Sequence, residues 1–189
     1  MKRVIGFLFG ATLLLGRAAG WASSYSDTET LFKNAGESSA FFQSSYGYAV
    51  FPTIGKGGLV VGGAHGSGHV YVHGKYVGNT SMNQVSVGLQ AGGQAYSQII
   101  FFEDKRAFDE FTKGDFEFGA DVNAVAITAA AGGSVGTTGA SAEASGGMKD
   151  ARTAGKYSKG LAVFTIVKGG AMYQATVAGQ KFSYKPRAS

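Results

Sequence analysis

The sequence predicts a single β-rich α+β domain, a bent and largely antiparallel sheet covered by two helices, and three observations predict it. From Gly47 to Val72 the chain reads GYAVFPTIGKGGLVVGGAHGSGHVYV. Its β-branched and aromatic residues suit a pleated surface, and its glycines permit bends, bulges and close backbone approach. From Gln84 to Ile99 apolar and polar residues alternate with the period of a half-buried strand. Helical periodicity is confined to a stretch beginning at Asp27 and a short one after Asp104.

The first residues stand apart from this domain. Residues 1–22 have the layout of a secretory signal peptide: Lys2 and Arg3, an apolar run from Val4 to Leu15, then Gly20 and Ala22 before a cut. The run is shorter than the roughly 20 residues a membrane-spanning helix needs, and Arg17 follows it, so an uncleaved anchor is the lesser alternative. There is no cysteine, hence neither a lipid-bearing cysteine nor a disulfide framework. Residues 23–189 are expected as one exported domain, periplasmic or secreted, peripheral to any membrane rather than crossing it.

Seventeen basic and 12 acidic residues give a formal charge of +5; without Lys2, Arg3 and Arg17 the balance is 14 against 12. From Lys149 onward eight Lys or Arg face Asp150 alone, whereas residues 23–148 hold six against eleven. That asymmetry points to a basic face for an anionic partner, with a merely solvated face as the alternative. No nucleic acid partner is expected.

Taken in order, Ser26-Asp27-Thr28-Glu29 fits a capping box, and Leu31, Ala35, Phe42 and Tyr46, flanked by Phe32, form one stripe of a helix from Asp27 to about Ser45. Lys33 alone stands against Asp27, Glu29 and Glu37, so this helix lacks the basic face of a membrane-surface helix and is expected to cover the sheet. Strands follow at Tyr48 to Ile54 and Leu59 to Val61, with a Lys-Gly-Gly turn between them. The turn is echoed downstream: AVFPTIGKGG at Ala49 to Gly58 returns as AVFTIVKGG at Ala162 to Gly170, as two similar strands of one sheet would. His73-Gly74-Lys75 reads as a hairpin loop. Gln84, Gln90, Gln94 and Gln98 share one face, as a hydrogen-bonded ladder or, alternatively, a headgroup-binding row. Asp104 caps a short helix with Ala107, Phe108 and Phe111 inward and Gly114 as its stop. Residues 128–147 are Ala, Gly, Ser and Thr with little else, a mobile loop or a Gly-lined strand pair. Leu161 to Val167, Ala171 to Val177 and Lys181 to Tyr184, with a turn at Ala178-Gly179-Gln180, read as a terminal meander.

Catalytic patterns carry little. His65, His69 and His73 recur every four residues, but on a strand such neighbours stand about 13 Å apart, too far to share a metal ion. Gly132-Gly133-Ser134-Val135-Gly136 matches G-x-S-x-G inside a tract whose composition produces such matches by itself. No Walker loop and no cysteine nucleophile is present, so no enzyme, cofactor or metal is expected.

The segments GYAVFPTIGKGGLVVGGAHGSGHVY (Gly47 to Tyr71), QVSVGLQAGGQAYSQIIFFED (Gln84 to Asp104), FTKGDFEFGAD (Phe111 to Asp121) and YSKGLAVFTIVKGG (Tyr157 to Gly170) resemble, in order, the SYLF domain family, a lipid-binding module also found in eukaryotic proteins at the membrane and actin cortex. The resemblance implies phosphoinositide binding, in some members actin binding, and an N-terminal amphipathic segment that helps engage membranes. The expected function is therefore non-catalytic binding of anionic lipid, phosphoinositide-like or another phospholipid, at the cell envelope. A structural or adaptor role toward a protein partner is the alternative. Lys56, Lys156, Lys159 and Lys168 are expected to converge near one face as the lipid site, with Phe41 and Phe42 as the fallback apolar surface.

One expectation is testable on processing alone. The exported protein should begin at Ser23; intact-mass measurement that still finds residues 1–22 attached overturns this.

Overall fold

A computed structural model describes residues 24–58, 61–87, 92–129, 135–136, 156–169 and 177–188. The expected signal segment 1–22, most of 128–147 with Ser134, residues 171–176 and Gln90 lie outside the described residues. The elements are α1 (Tyr25–Asn34), α2 (Phe41–Ser44), β1 (Gly47–Gly58), β2 (Val61–Val72), β3 (Lys75–Val87), β4 (Gly92–Phe102), α3 (Lys105–Phe111), β5 (Phe116–Glu117), β6 (Ala124–Ala129), β7 (Val135–Gly136), β8 (Leu161–Gly169) and β9 (Lys181–Pro186). They build one sheet in the order β5-β9-β3-β2-β1-β4-β8-β6-β7. Every pairing is antiparallel except that of β6 with β8. This is the expected β-rich α+β class.

At one end of the sheet the central strands are buried on both faces. Ala49, Val50 and Phe51 of β1 and Ile99 to Phe102 of β4 are all fully buried. Ala49, Phe51, Ile100 and Phe102 face a core closed by Phe111 of α3, Phe118 and Phe182. Val50, Ile99 and Phe101 face a second core closed by Phe32, Ala35 and Phe41 of the N-terminal helices. Each such Val, Ile or Phe side chain contributes about 1.5–3 kcal/mol by leaving water.

The bend falls at Pro52 and Thr53. Phe51 pairs with Gln98 and Ile54 with Tyr96, so β1 carries one extra residue, a bulge seen against β2 as well. Proline has no N–H to give a ladder and is tolerated at such an interruption. Ser97 Oγ donates to the Pro52 carbonyl at 2.7 Å. Phe51 and Ile54 then lie over Gly68 and Gly66 of β2, where a Cβ would come within 2.7 Å and 2.6 Å of their side chains.

The sheet curls. Phe182 on β9 is three strands from Phe51 on β1, about 14 Å in a flat sheet, yet their ring centroids are 5.7 Å apart. The expected terminal meander is corrected here: β8 pairs with β4, whereas β9 crosses to the far side and pairs with β3. The turn before β9 reaches across the curl, and Gln180 and Gln98 exchange amide hydrogen bonds of 2.8 Å and 3.2 Å. Gln84 Nε2 donates to the Ala178 carbonyl at 2.8 Å. Gln84 and Gln98 are thus hydrogen-bonded, but to the C-terminal turn rather than to each other, which corrects the expected cross-strand ladder.

The N-terminal helix is also corrected. Its capping box starts at Ser24: Ser24 Oγ accepts from the Asp27 N–H at 3.1 Å and Asp27 Oδ2 from the Ser24 N–H at 3.3 Å. It ends at Asn34, because Ala35 is extended and buried Ser38 donates its hydroxyl to the Phe32 carbonyl at 2.6 Å, capping an otherwise orphaned acceptor. α2 is a separate turn. The α3 expectation holds, with Asp104 Oδ1 accepting from the Ala107 N–H at 2.8 Å. His73 and Gly74 both have positive φ, the signature of the hairpin expected there. In the described part of 128–147, Thr128 and Ala129 pair with Gly136 and Val135, the strand-pair alternative.

Gly58 has φ +144 and a Cβ there would collide with Gly62 Cα, whereas a Cβ at Gly57 meets no atom within 4 Å. Gly58→Val should therefore cost roughly 1–3 kcal/mol, and Gly57→Val close to nothing. Equal denaturant midpoints for the two variants would remove the strain from Gly58.

Candidate functional site

The half of the sheet beneath the N-terminal helices is fastened by a polar aromatic cluster. Tyr25 of α1 stacks on His69 of β2, centroids 3.4 Å apart and planes 4° apart. Glu29, one turn on, accepts from the hydroxyls of Tyr48 and Tyr71 and pairs with Lys33 at 3.5 Å. Burial first, and the Glu29 carboxylate second, raise both tyrosines, Tyr71 to about 12. Burial also holds the His69 imidazole below its ordinary value, against a weaker opposite pull from Glu29. The cluster clamps α1 to the sheet.

The lysines of the sequence expectation fall at two ends of the molecule. Lys56 lies opposite Gln94, and Lys168 sits at a one-residue bulge of β8 beside Ala95 and Tyr96, so these two share one end of the sheet. Strand alternation places Lys56 on the face of Ile54 and Lys168 on the opposite face, where its Nζ donates to Thr53 Oγ1 at 3.1 Å. Half-burial lowers the Lys168 pKa. Lys156 and Lys159 precede the other end of β8, about 30 Å away at 3.3 Å per residue. Lys159 pairs with Asp121 at 2.6 Å. The expected convergence on one face is therefore corrected: echoed strands run in the same direction on either side of β4, but their registers differ by one residue. Ala49 aligns with Val163 through Ile100, so the two Ala-Val-Phe triplets show opposite sides.

Phe41 and Phe42 belong to the second core. Phe41 contacts Phe101, Tyr157 and Phe164 at 5.1–5.4 Å, and Phe42 meets Tyr48 and Phe101 edge-on. Both are anchors of α2 on the sheet, and neither projects outward as a free apolar surface.

Two features escaped the sequence reading. Outward-facing residues of β2, β3 and β9 line up across the strands as His65–Asn83–Lys181, Ser67–Ser81–Ser183 and His69–Asn79–Lys185. The Ser81 and Ser183 hydroxyls are 2.7 Å apart, and a groove of about 330 Å³ lies over Tyr25, Ser67, Asn79 and Lys185. The register of β9, invisible locally, creates these rows. The second feature could have been found by inspection: Gly47 to Phe102 contains no Asp or Glu at all. Among the strands, β5 alone carries a carboxylate, Glu117, which faces Lys181 at 3.6 Å.

The three histidines have separate surroundings. His65 Nδ1 hydrogen-bonds Asn83 Oδ1 at 2.8 Å, His69 stacks on Tyr25, and His73 packs edge-on against Tyr46. Among the described residues no group of three or more His, Cys, Asp or Glu could hold a metal ion.

Comparison with known proteins adds two matches. The profile of a family described as Ysc84, Las17-binding protein actin regulator, matches residues 83–188. Beta cell expansion factor A of Aeromonas veronii is 31% identical over 154 residues, covering 80% of this chain and 51% of that protein. The chain thus spans about half the length of that relative.

The clamp predicts an acid-sensitive α1. Because His69 is held below 6.5 in the fold, the unfolded chain takes up the proton first, and stability falls as pH drops below about 6.5. His69→Phe keeps the ring against Tyr25 and removes the titration, so its melting temperature should change less between about pH 6.5 and 5. Identical slopes would exclude the imidazole as the titrating group.

Proposed function

The chain belongs to the Ysc84 family, the SYLF domain its motifs resemble, and on that premise we propose that it binds anionic membrane lipid at the cell envelope without catalysing a reaction. The family is one of binding domains rather than a known enzyme family. The observation that carries the lipid reading is the sorting of charge. Carboxylates sit around α1, around α3 and at 115–121, with Glu143 and Asp150 outside the described residues, while β1 to β4 with their connections carry none and β8 and β9 carry none. Lys56 and Lys168 stand at the acid-poor end, and Lys156 and Lys159 add charge at the other. Each lysine near an anionic surface contributes about 1 kcal/mol, screened as salt shortens the Debye length. Among the described residues no helix is long and apolar enough to cross a membrane, in keeping with peripheral attachment. The envelope location rests on the signal-like residues 1–22.

A protein partner is the second reading, favoured by the family's description as a Las17-binding actin regulator and by the hydrogen-bonding rows on β2, β3 and β9.

Co-sedimentation separates them. The protein should pellet with vesicles of phosphatidylglycerol and phosphatidylcholine, less so in high salt, and not with phosphatidylcholine alone. Changing Lys56, Lys156, Lys159 and Lys168 together to Glu should abolish binding with little change in thermal unfolding, since the Lys159–Asp121 pair is exposed and such pairs contribute little. Salt-insensitive binding, or undiminished binding by the folded variant, would overturn the lysine assignment.

A further inference from the structure

We propose that the protein meets an anionic lipid surface end-on, through the glycine-rich strand ends of β1 to β4, with Val61 and Val85 entering the acyl boundary; this rests on the lipid reading above. Among the described residues the exposed large hydrophobics are Val61 and Val85, 64% and 78% accessible. They belong together. Val85 pairs with Gly63 and Val61 lies two residues further along β2, so both side chains stand on one face as diagonal cross-strand neighbours, about 7 Å apart.

Among the described residues a row of glycines runs beside them. Gly57 pairs with Gly63 on one side and Gly93 on the other, and Gly55 follows on the same face. A Cβ at Gly55 or Gly57 would meet nothing within 4 Å, and at Gly63 or Gly93 would meet only a carbonyl oxygen at 3.5 Å or 3.8 Å. Internal packing therefore does not demand glycine at these four places. A glycine row without an internal cause marks close approach by something outside the chain, and its effect is to leave Val61 and Val85, with His65 and Asn83 beyond them, as the projecting side chains among the described residues of this face.

Charge names the occupant. Lys56 pairs with Ala64, three residues from Val61, and Lys168 lies level with Gly55 through Ala95. Lys56 thus lies about 10 Å above the valines along the strands, the offset between acyl boundary and headgroups for a surface-bound element, and Lys168, held at Thr53, stands further up. The strands carry no carboxylate at this end except Glu117, already facing Lys181. Seven of the twelve carboxylates, those around α1 and α3, are at the other end.

A single-tryptophan protein tests it. With Trp21→Phe as background, Val85→Trp should shift its emission to the blue and be quenched by brominated lipid in phosphatidylglycerol-containing vesicles, while Lys113→Trp beyond α3 should do neither. Val61→Asp with Val85→Asp should lower vesicle partition at least about tenfold, since two buried valines and two desolvated carboxylates are at stake, with thermal unfolding unchanged. Wild-type binding together with an unshifted Trp at 85 and an undiminished aspartate variant overturns end-on docking and leaves the lipid reading standing. Loss of a wild-type dimer in the aspartate variant, with vesicle binding intact, assigns the valines to a second copy and overturns the lipid occupant. No wild-type binding to any anionic vesicle refutes the lipid reading and this inference with it.

Discussion

Burial of β1 and β4 on both faces is the constraint on which the other elements depend. Val50 and Phe51 point to opposite sides and both are fully buried, as are Phe101 and Phe102. A strand in that position needs two covers. The N-terminal helices supply one, through Phe32, Ala35 and Phe41. α3, Phe118 and β9 supply the other, and β9 does so by curling back until Phe182 reaches Phe51 and Phe111. A backbone buried on both sides must also keep its hydrogen bonds. At the break in β1, Pro52 has its carbonyl taken by Ser97.

The same constraint divides the molecule lengthwise. Toward Gly47, Phe102 and Leu161 the sheet is thickly covered, clamped by Glu29 to Tyr48 and Tyr71 and flanked by the helices. Toward Gly58, Val61 and Val85 it loses its covers, its large side chains and its carboxylates together. A thickly packed end that holds most of the carboxylates, opposite a thin, glycine-rich one that holds almost none, is an arrangement with a direction.

Much of this was readable along the chain. The alternation from Gln84 to Gln98, Asp104 with Gly114 around three inward apolar residues, and the His73-Gly74 turn each encode their structure within a few residues, and each appears where expected. The capping box was displaced by two residues because Ser24 and Asp27 compete with Ser26 and Glu29 on equal chemical terms; Glu29 is instead taken by Tyr48 and Tyr71. The candidate lysines were legible as charge but not as a site, since their placement depends on strand register.

Local properties of the chain, its periodicity, caps, turn glycines and charge, were enough to show that it is mostly strand, where the helix after Asp104 sits, that its strands are nearly free of carboxylate, and which family it resembles. Only the tertiary structure decided which side each strand shows. Ala49-Val50-Phe51 and Ala162-Val163-Phe164 are the same three residues on strands running the same way, yet Phe51 closes one core and Phe164 the other, since Ala49 aligns with Val163. The physical reason is the two-residue period of a strand: a register offset of one residue exchanges the faces, and that offset is set by partners far away in the chain.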